Sequence, residues 1–140
     1  MINVPTPTPK TFTGSTTGGT NSLNGSCAAS DNATATEVVY EWTPDKTGTA
    51  TIETCNAVLT KYDTVIYARD ACPLTGPSNE ITNSCNNDGA GGTCDAFGLS
   101  GKASKSSFNV TLGTTVYIVV DGLNGAVPPN GPYALKVTPP

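Results

Sequence analysis

The sequence predicts an all-β protein: an antiparallel β-sandwich or jelly roll of about seven to eight short strands. Apolar residues alternate with polar ones over short runs rich in valine, isoleucine, threonine and tyrosine, the pattern of strands with one buried face. Glycine, proline, asparagine and aspartate separate these runs at short intervals, as turns do. No segment of useful length repeats its apolar residues at the spacing of an α-helix.

Six segments carry the clearest strand pattern, and turn residues separate them along the chain. They are residues 37–43, 49–55, 64–69, 107–112, 115–121 and 132–137. A shorter strand is predicted at residues 80–85, before a loop rich in Gly, Asn and Asp. Residues 64–69 are apolar on both faces, which predicts a central strand that is covered on both sides.

Alternation within each strand divides its side chains between two faces. In residues 107–112 it places Phe108, Val110 and Leu112 inward and Asn109 outward. The predicted core is Val38, Tyr40, Trp42, Ile52, Ile66, Phe108, Val110, Ile118, Val120 and Leu135.

The chain divides into a Pro/Thr-rich tail, residues 1–12, and one domain, residues 13–140. Pro5, Pro7 and Pro9 favour polyproline II conformation in the tail because proline has no N–H to donate to a strand ladder. The tail is therefore predicted to be a semi-rigid linker or a segment that packs on a partner.

Composition excludes two classes of partner. The 140-residue chain fits one domain and carries a net charge of −4. Its basic residues are scattered, without the basic patch that nucleic-acid binding requires. No apolar run approaches the roughly 20 residues that a membrane-spanning helix needs. We therefore expect neither nucleic-acid binding nor membrane insertion.

Catalysis is not expected either. The sequence contains no histidine, which excludes Ser-His-Asp and Cys-His mechanisms. Two carboxylates can hydrolyse glycosides, but Glu37, Glu41 and Glu53 lie at strand positions that are predicted to be solvated. The sequence favours a protein that is not an enzyme.

Five cysteines predict disulfide bonds and a secreted or cell-surface location. None forms a C-x-x-C pair, and without histidine a mixed zinc site is excluded. Cys72–Cys85 is predicted because it closes a loop of little apolar content, and Cys27–Cys55 because it pins the segment before the first clear strand. Cys94 is then unpaired or joins a second chain. A competing pairing, Cys55–Cys94, leaves Cys27 over.

The Gly/Ser/Thr/Asn-rich residues 13–35 are predicted to approach the sheet as a long segment anchored by a disulfide. Two of the three N-glycosylation sequons lie in this segment, at Asn24 and Asn32, and the third is at Asn109. They are predicted to carry glycans only in a glycosylating host.

Oxygen-bearing side chains at strand ends and in adjoining loops predict a candidate calcium site. The candidates are Asp63, Asn86, Asp88 and Asp121, because Ca²⁺ prefers several carboxylate and carbonyl oxygens. Their spacing is not that of an EF-hand, and such residues also stabilise turns by local hydrogen bonds. No cofactor is otherwise required.

Two aromatic residues are candidates for ligand binding, since sugar-binding surfaces often present exposed aromatic rings. Tyr62 and Phe97 lie in loop-like sequence outside the predicted strands. The alternative is that both rings anchor their loops on the edge of the sandwich.

The order of these motifs resembles that of the bacterial pre-peptidase C-terminal (PPC) domain family, in its cysteine-containing form. The matching pieces are Gly25-Ser26-Cys27, residues 37–44, 48–55 and 62–69, Cys72, Cys85-Asn86-Asn87-Asp88, residues 116–122 and Tyr133-Ala134-Leu135. The resemblance covers about residues 14–138. It implies a β-sandwich of jelly-roll type that is a non-catalytic appendage of a secreted protease or another exported protein. Such domains bind extracellular polymers or act in secretion and maturation, and some bind calcium. Asn87 departs from the commoner Cys-Asn-Asp-Asp motif.

The sequence thus predicts a non-catalytic extracellular module that binds a polysaccharide, a protein polymer or a surface as part of a larger secreted protein. The alternative is a structural subunit of an extracellular fibre or surface assembly. In that case neighbouring copies of the chain are the partners, held by the N-terminal tail and by an intermolecular disulfide.

Overall fold

The computed structural model describes residues 1–4, 9–28, 35–71, 79–89, 92–123 and 125–140. Within these ranges the chain forms eight β-strands and one 3-10 turn, Ser26–Ala28. The strands are β1 (Ile2–Val4), β2 (Lys10–Ser15), β3 (Val38–Trp42), β4 (Gly48–Glu53), β5 (Thr64–Arg69), β6 (Lys105–Val110), β7 (Val116–Gly122) and β8 (Pro132–Thr138). The predicted all-β class is confirmed.

The strands form two four-stranded sheets. Sheet I has the order β1-β3-β7-β5, and sheet II has the order β2-β8-β4-β6. From β2 onward, consecutive strands alternate between the sheets, and every strand pairing is antiparallel except that of β1 with β3. This arrangement is the predicted sandwich, whose finer jelly-roll type stays a prediction.

The core lies between the two sheets, because alternate side chains of each strand point inward. Of the ten predicted core residues, all but Val38 are buried, and Val38 packs against the others from a partly buried position. Tyr40 of sheet I and Tyr133 of sheet II share a hydrogen bond of 2.9 Å between their hydroxyl oxygens. The predicted core is therefore confirmed.

The predicted tail contains strand residues. Ile2–Val4 pairs in parallel with β3, and Val4 is buried in the main core. β2 begins at Lys10 and directs Phe12 towards the core, with its ring centroid 5.4 Å from that of Tyr40. The boundary predicted after residue 12 thus falls inside β2. Residues 5–8, with two of the three tail prolines, lie outside the described residues.

Two local predictions about strands are wrong. The strand predicted at residues 80–85 is absent, and only isolated bridges join Glu80 to Arg69 and Asn86 to Ile66. Leu112, predicted to face inward, is 60% exposed. β6 ends at Val110, and the chain then turns, with Gly113 N donating to Pro44 O at 2.9 Å.

Both faces of β5 are buried, as predicted, but the predicted central position of this strand is wrong, because β5 is the last strand in the order of sheet I. Its inner face belongs to the main core. Its outer face lies beneath residues 19–28, here called the cover segment, whose Leu23 packs against Val65, Tyr67 and Val119. Part of the predicted approach segment, residues 19–28, therefore covers the outer face of sheet I.

The disulfides are Cys27–Cys85 and Cys55–Cys94. The predicted pairs Cys72–Cys85 and Cys27–Cys55 are wrong, and so is the unpaired state predicted for Cys94. The competing pairing, Cys55–Cys94, is present, but Cys27 is not left over. The fold explains the outcome, because the cover segment brings Cys27 to the residues that follow β5. Cys72 lies outside the described residues.

Candidate functional site

The described surface contains a concave, polar groove of about 400 Å³. It lies between the end of β6 and the segment that follows β5. Its lining residues are Thr49, Asp70, Glu80, Ile81, Thr82, Asn83, Ser107, Phe108 and Asn109. We call this feature the polar groove.

Strand register builds one wall of the polar groove. β4 and β6 pair so that Thr49 lies opposite Asn109, and Thr51 lies opposite Ser107, with all four side chains on the outer face of sheet II. The Thr49 hydroxyl donates to Asn109 Oδ1 at 3.1 Å, and the hydroxyl oxygens of Thr51 and Ser107 lie 2.8 Å apart. These cross-strand bonds fix the wall before any ligand arrives.

The opposite wall is fixed to the edge of β5. Ile81 N donates to Ala68 O at 2.8 Å, and the Ser84 hydroxyl bonds to both the N–H and the carbonyl of Ala68. Asn83 adopts a φ of 64°, a left-handed conformation that asparagine tolerates better than most residues. The segment 80–84 is thus a rigid turn, although it does not form the predicted strand.

Acidic groups set the charge of the polar groove. Asp70 and Glu80 are its two charged lining residues, and no lysine or arginine is among the lining residues. Glu80 already accepts hydrogen bonds from the N–H and the hydroxyl of Ser26, so it holds the cover segment. Asp70 is exposed. Hydroxyls, amides and one exposed carboxylate, beside the apolar side chains of Ile81 and Phe108, suit a neutral, hydroxyl-rich ligand.

The polar groove opens onto the outer face of sheet II, which is exposed and rich in hydroxyl groups. The exposed or partly exposed polar residues of this face include Thr11, Thr13, Ser15, Thr49, Thr51, Ser107, Asn109 and Thr138. Glu53 also lies on this face, where it forms ion pairs with Lys105 at 3.0 Å and with Lys136 at 3.1 Å. Burial opposes the ionisation of Glu53, but the two ammonium groups together lower its pKa below the ordinary value.

In the structure the predicted calcium ligands have different hydrogen-bond and ion-pair partners. Lys102 Nζ lies 3.5 Å from Asp63 Oδ2 and 3.0 Å from Asp88 Oδ2, so an ammonium group sits between these carboxylates. Burial raises the pKa of Asp63, and the charge of Lys102 opposes that rise. Asn86 instead caps β6, with its Oδ1 accepting from Lys105 N at 3.0 Å.

The fourth predicted ligand, Asp121, has its own hydrogen-bond partners. It accepts hydrogen bonds from the Tyr67 hydroxyl at 3.3 Å and from Gly122 N at 2.8 Å. Among the described residues, no three Asp, Glu or Cys side chains lie close enough together to hold a metal ion. Calcium binding by Asp63, Asn86, Asp88 and Asp121 stays a prediction.

The prediction that Tyr62 binds ligand is wrong, because its side chain is fully buried in the main core. The backbone of the β7–β8 loop passes close to the ring, since a Cβ atom added to Gly131 would lie 3.3 Å from Tyr62 Cδ1. Burial raises the pKa of the phenol. Tyr62 therefore anchors a loop, the alternative that the sequence left open.

Phe97 is an exposed aromatic residue, as the ligand-binding prediction requires. Its ring is 59% exposed, and Lys61 Nζ lies 3.5 Å from the ring centroid. Phe97 N donates to Thr60 O at 2.7 Å in the loop after β4, whereas the polar groove lies at the start of β4. The two features are thus at opposite ends of the sandwich, and a binding role for Phe97 stays a prediction.

Sequence reasoning missed two buried charged residues that hold the cover segment. Arg69 is fully buried, and its Nη2 donates to Asn24 O at 2.7 Å. Glu37, predicted to be solvated, is 5% exposed and accepts 2.9 Å hydrogen bonds from the N–H and the hydroxyl of Ser22. Alternation along a strand could not reveal that another segment covers these two residues.

Two sequon asparagines, Asn24 and Asn109, are exposed, and Asn32 lies outside the described residues. Asn109 lines the polar groove, so a glycan on this residue would occupy it. Glycosylation at all three positions stays a prediction.

The two disulfides indicate an oxidising, extracellular environment. No helix in the described part of the chain is long and apolar enough to cross a membrane. Comparison with family models, with curated proteins and with solved structures gave no match. The resemblance to PPC domains stays a prediction.

Proposed function

We propose that this protein is a secreted, non-catalytic module that binds a neutral extracellular polysaccharide, as an appendage of a larger protein. The observation that carries this proposal is the polar groove, whose walls are fixed by main-chain and side-chain hydrogen bonds within the domain. The order of sequence motifs, which resembles that of PPC domains, and the two disulfides support an extracellular role.

The size and chemistry of the polar groove support a sugar ligand. Its volume of about 400 Å³ lies within the range of about 300–1,000 Å³ that ligand sites occupy. A sugar unit presents several hydroxyls that both donate and accept. Thr82, Asn83, Ser107 and Asn109 offer matching groups, and Ile81 offers an apolar contact for the C–H face of a ring.

The charge of the site argues for a neutral polymer over an acidic one. The exposed carboxylate of Asp70 lies in the lining, and the chain has a net charge of −4. Like charges repel a polyanion before it reaches the site. A polymer is favoured over a single sugar because the groove opens onto the exposed outer face of sheet II, along which further units can lie.

Affinity electrophoresis in gels that contain soluble glucan, mannan or alginate tests the proposal. We expect a neutral polysaccharide to retard the protein and the acidic alginate not to do so. Ser107→Trp fills the groove and should weaken binding by about tenfold or more, or ~1.4 kcal/mol. Val58→Trp is the matched control, because it places the same side chain at a position that is already 69% exposed, in the loop after β4 and away from the outer face of sheet II.

The proposal fails if neither neutral polysaccharide retards the unmodified protein. It also fails if Ser107→Trp and Val58→Trp bind equally well, because the site is then not the polar groove. Thermal melting of both variants verifies that each is folded.

A further inference from the structure

β1 is a separable element of sheet I. It comprises only Ile2–Val4, and its one deeply buried side chain is Val4, which is 5% exposed. Its register is fixed, with Ile2 opposite Tyr40, Asn3 opposite Glu41 and Val4 opposite Trp42. Such a short edge strand opens more easily than the central strands do, because little apolar surface must be exposed.

We propose that β1 exchanges between copies of this chain, so that β1 of one molecule pairs with β3 of a second. The site on β3 is already shown to fit this segment, because the chain's own β1 occupies it. A second copy offers the same three residues to the same edge, so exchange creates no new contact and breaks none. The partner is thus a second copy of this chain.

The surroundings of β1 favour exchange. β1 belongs to sheet I and β2 to sheet II, and five residues, 5–9, connect them. Three of these residues are proline, and proline donates no N–H to a strand ladder. Once β1 leaves, the edge of β3 from Tyr40 to Trp42 is unpaired, and an open strand edge readily accepts another strand.

Concentration decides which form is present. Within one molecule β1 meets its site at an effective concentration on the order of millimolar, because the connection is short. The closed monomer therefore predominates at micromolar protein. Exchanged dimers or longer chains are expected as the concentration approaches roughly 1 mM, which a protein held at an extracellular surface can reach locally.

Crosslinking between two different variants tests the exchange directly. One chain carries Asn3→Cys and the other Glu41→Cys, each in a Cys72→Ser background that removes the odd cysteine of the sequence. Both variants are mixed at high concentration in a glutathione redox buffer, and peptide mapping identifies disulfides between them. These two positions lie on different chains, so they meet at the observed register only if β1 has been exchanged.

The matched control replaces Glu41→Cys by Thr13→Cys, an exposed position on the far face of sheet II. We expect the Asn3–Glu41 combination to give at least about tenfold more mixed disulfide than the control, with a yield that rises with protein concentration. Equal yields in the two mixtures overturn the proposal. So does a disulfide between these positions that forms only when both substitutions are on one chain.

Discussion

Glu53 joins two strands of sheet II through its carboxylate. Its register neighbours are Lys105 on β6 and Lys136 on β8, and each ammonium group lies within 3.1 Å of a different carboxylate oxygen. Glu53 on β4 therefore links β6 and β8 through two ion pairs on the outer face. Exposed ion pairs contribute little individually, but the backbone of Glu53 is already fixed by pairing on both sides.

Glu53→Gln is expected to destabilise the protein at neutral pH by about 1 kcal/mol, since two partly exposed ion pairs are lost. The two lysines hold the folded-state pKa of Glu53 below its ordinary value, against the effect of burial. Such a carboxylate contributes stability above the unfolded-state pKa, and the contribution is lost as pH falls through the folded-state pKa. Urea unfolding should therefore show a difference at neutral pH that disappears towards about pH 3.

Asp45→Asn is the control for this experiment, because it removes a carboxylate from the exposed turn between β3 and β4. The control should not reproduce the loss of stability at neutral pH. A Glu53→Gln variant that is equally destabilised at neutral and at acid pH would mean that the side chain acts by packing and not by charge.

Single residues show what alternation can and cannot predict. Tyr40, Trp42 and Ile66 were assignable to the core because their strands are regular and one face is apolar. Leu112 continues the same alternation, but it follows the end of β6 and faces solvent. Tyr62 carries no periodic signal, since it precedes β5, and its burial depends on a loop that arrives from the distant β7–β8 connection.

At the level of elements, the cover segment depends on contacts between residues far apart in sequence. Arg69 and Glu37 bind its main chain, and the Cys27–Cys85 disulfide closes it. Gly25 makes the close approach possible, because a Cβ atom there would lie 2.6 Å from Tyr67 Cδ1 and 2.7 Å from Cys85 Sγ. A buried charge that loses its partner is costly, so these contacts should be lost or kept together.

The pair Cys27→Ala with Cys85→Ala is expected to destabilise the protein by about 4 kcal/mol in the chain-entropy model, given the sequence separation of 58 residues. Loosening the cover segment also exposes Tyr67, whose pKa is raised by burial and by the nearby Asp121 carboxylate. Spectrophotometric titration should therefore find one more tyrosine ionising in its ordinary range. Denaturant unfolding measures the stability.

Removal of the other disulfide, by Cys55→Ala with Cys94→Ala, is the matched control. Its separation of 39 residues gives an entropic loss of similar size, about 4 kcal/mol, at a site remote from Tyr67. Both pairs should lower stability, and only the first should change the tyrosine titration. If both change it, the domain loosens as a whole and the cover segment is not a separate element.

The elements that sequence reasoning missed share a physical cause. β1 is only three residues long and β2 is rich in Thr, so their strand state comes from pairing with β3 and β8 and not from their own pattern. The same holds for the disulfides. Loop length favours Cys72–Cys85, but the pairing is decided by which strand edge the cover segment reaches, and sequence spacing does not contain that information.

Across the whole molecule, the two sheets differ in what their outer faces present. Sheet I carries the cover segment, which buries Val65, Tyr67 and Val119. Sheet II leaves its outer face exposed, with hydroxyl groups and the Glu53 ion pairs. A ligand that binds a sheet face can therefore reach sheet II, which supports the proposal that a polysaccharide binds at the polar groove.

The stability of this arrangement rests on the core between the sheets, and Trp42 is its largest buried side chain. Trp42→Ala is expected to cost about 3–5 kcal/mol, a large part of the roughly 5–15 kcal/mol that stabilises a domain, and to lower the melting temperature by roughly 10 °C or more. Leu112→Ala, at a residue that alternation alone would place in the same core, should change stability by less than about 0.5 kcal/mol, because the side chain is 60% exposed. Calorimetry of both variants separates the observed packing from the sequence pattern. Equal losses for the two variants would place Leu112 in the core and extend β6 beyond Val110, and a negligible loss for Trp42→Ala would contradict the packing of the two sheets against each other.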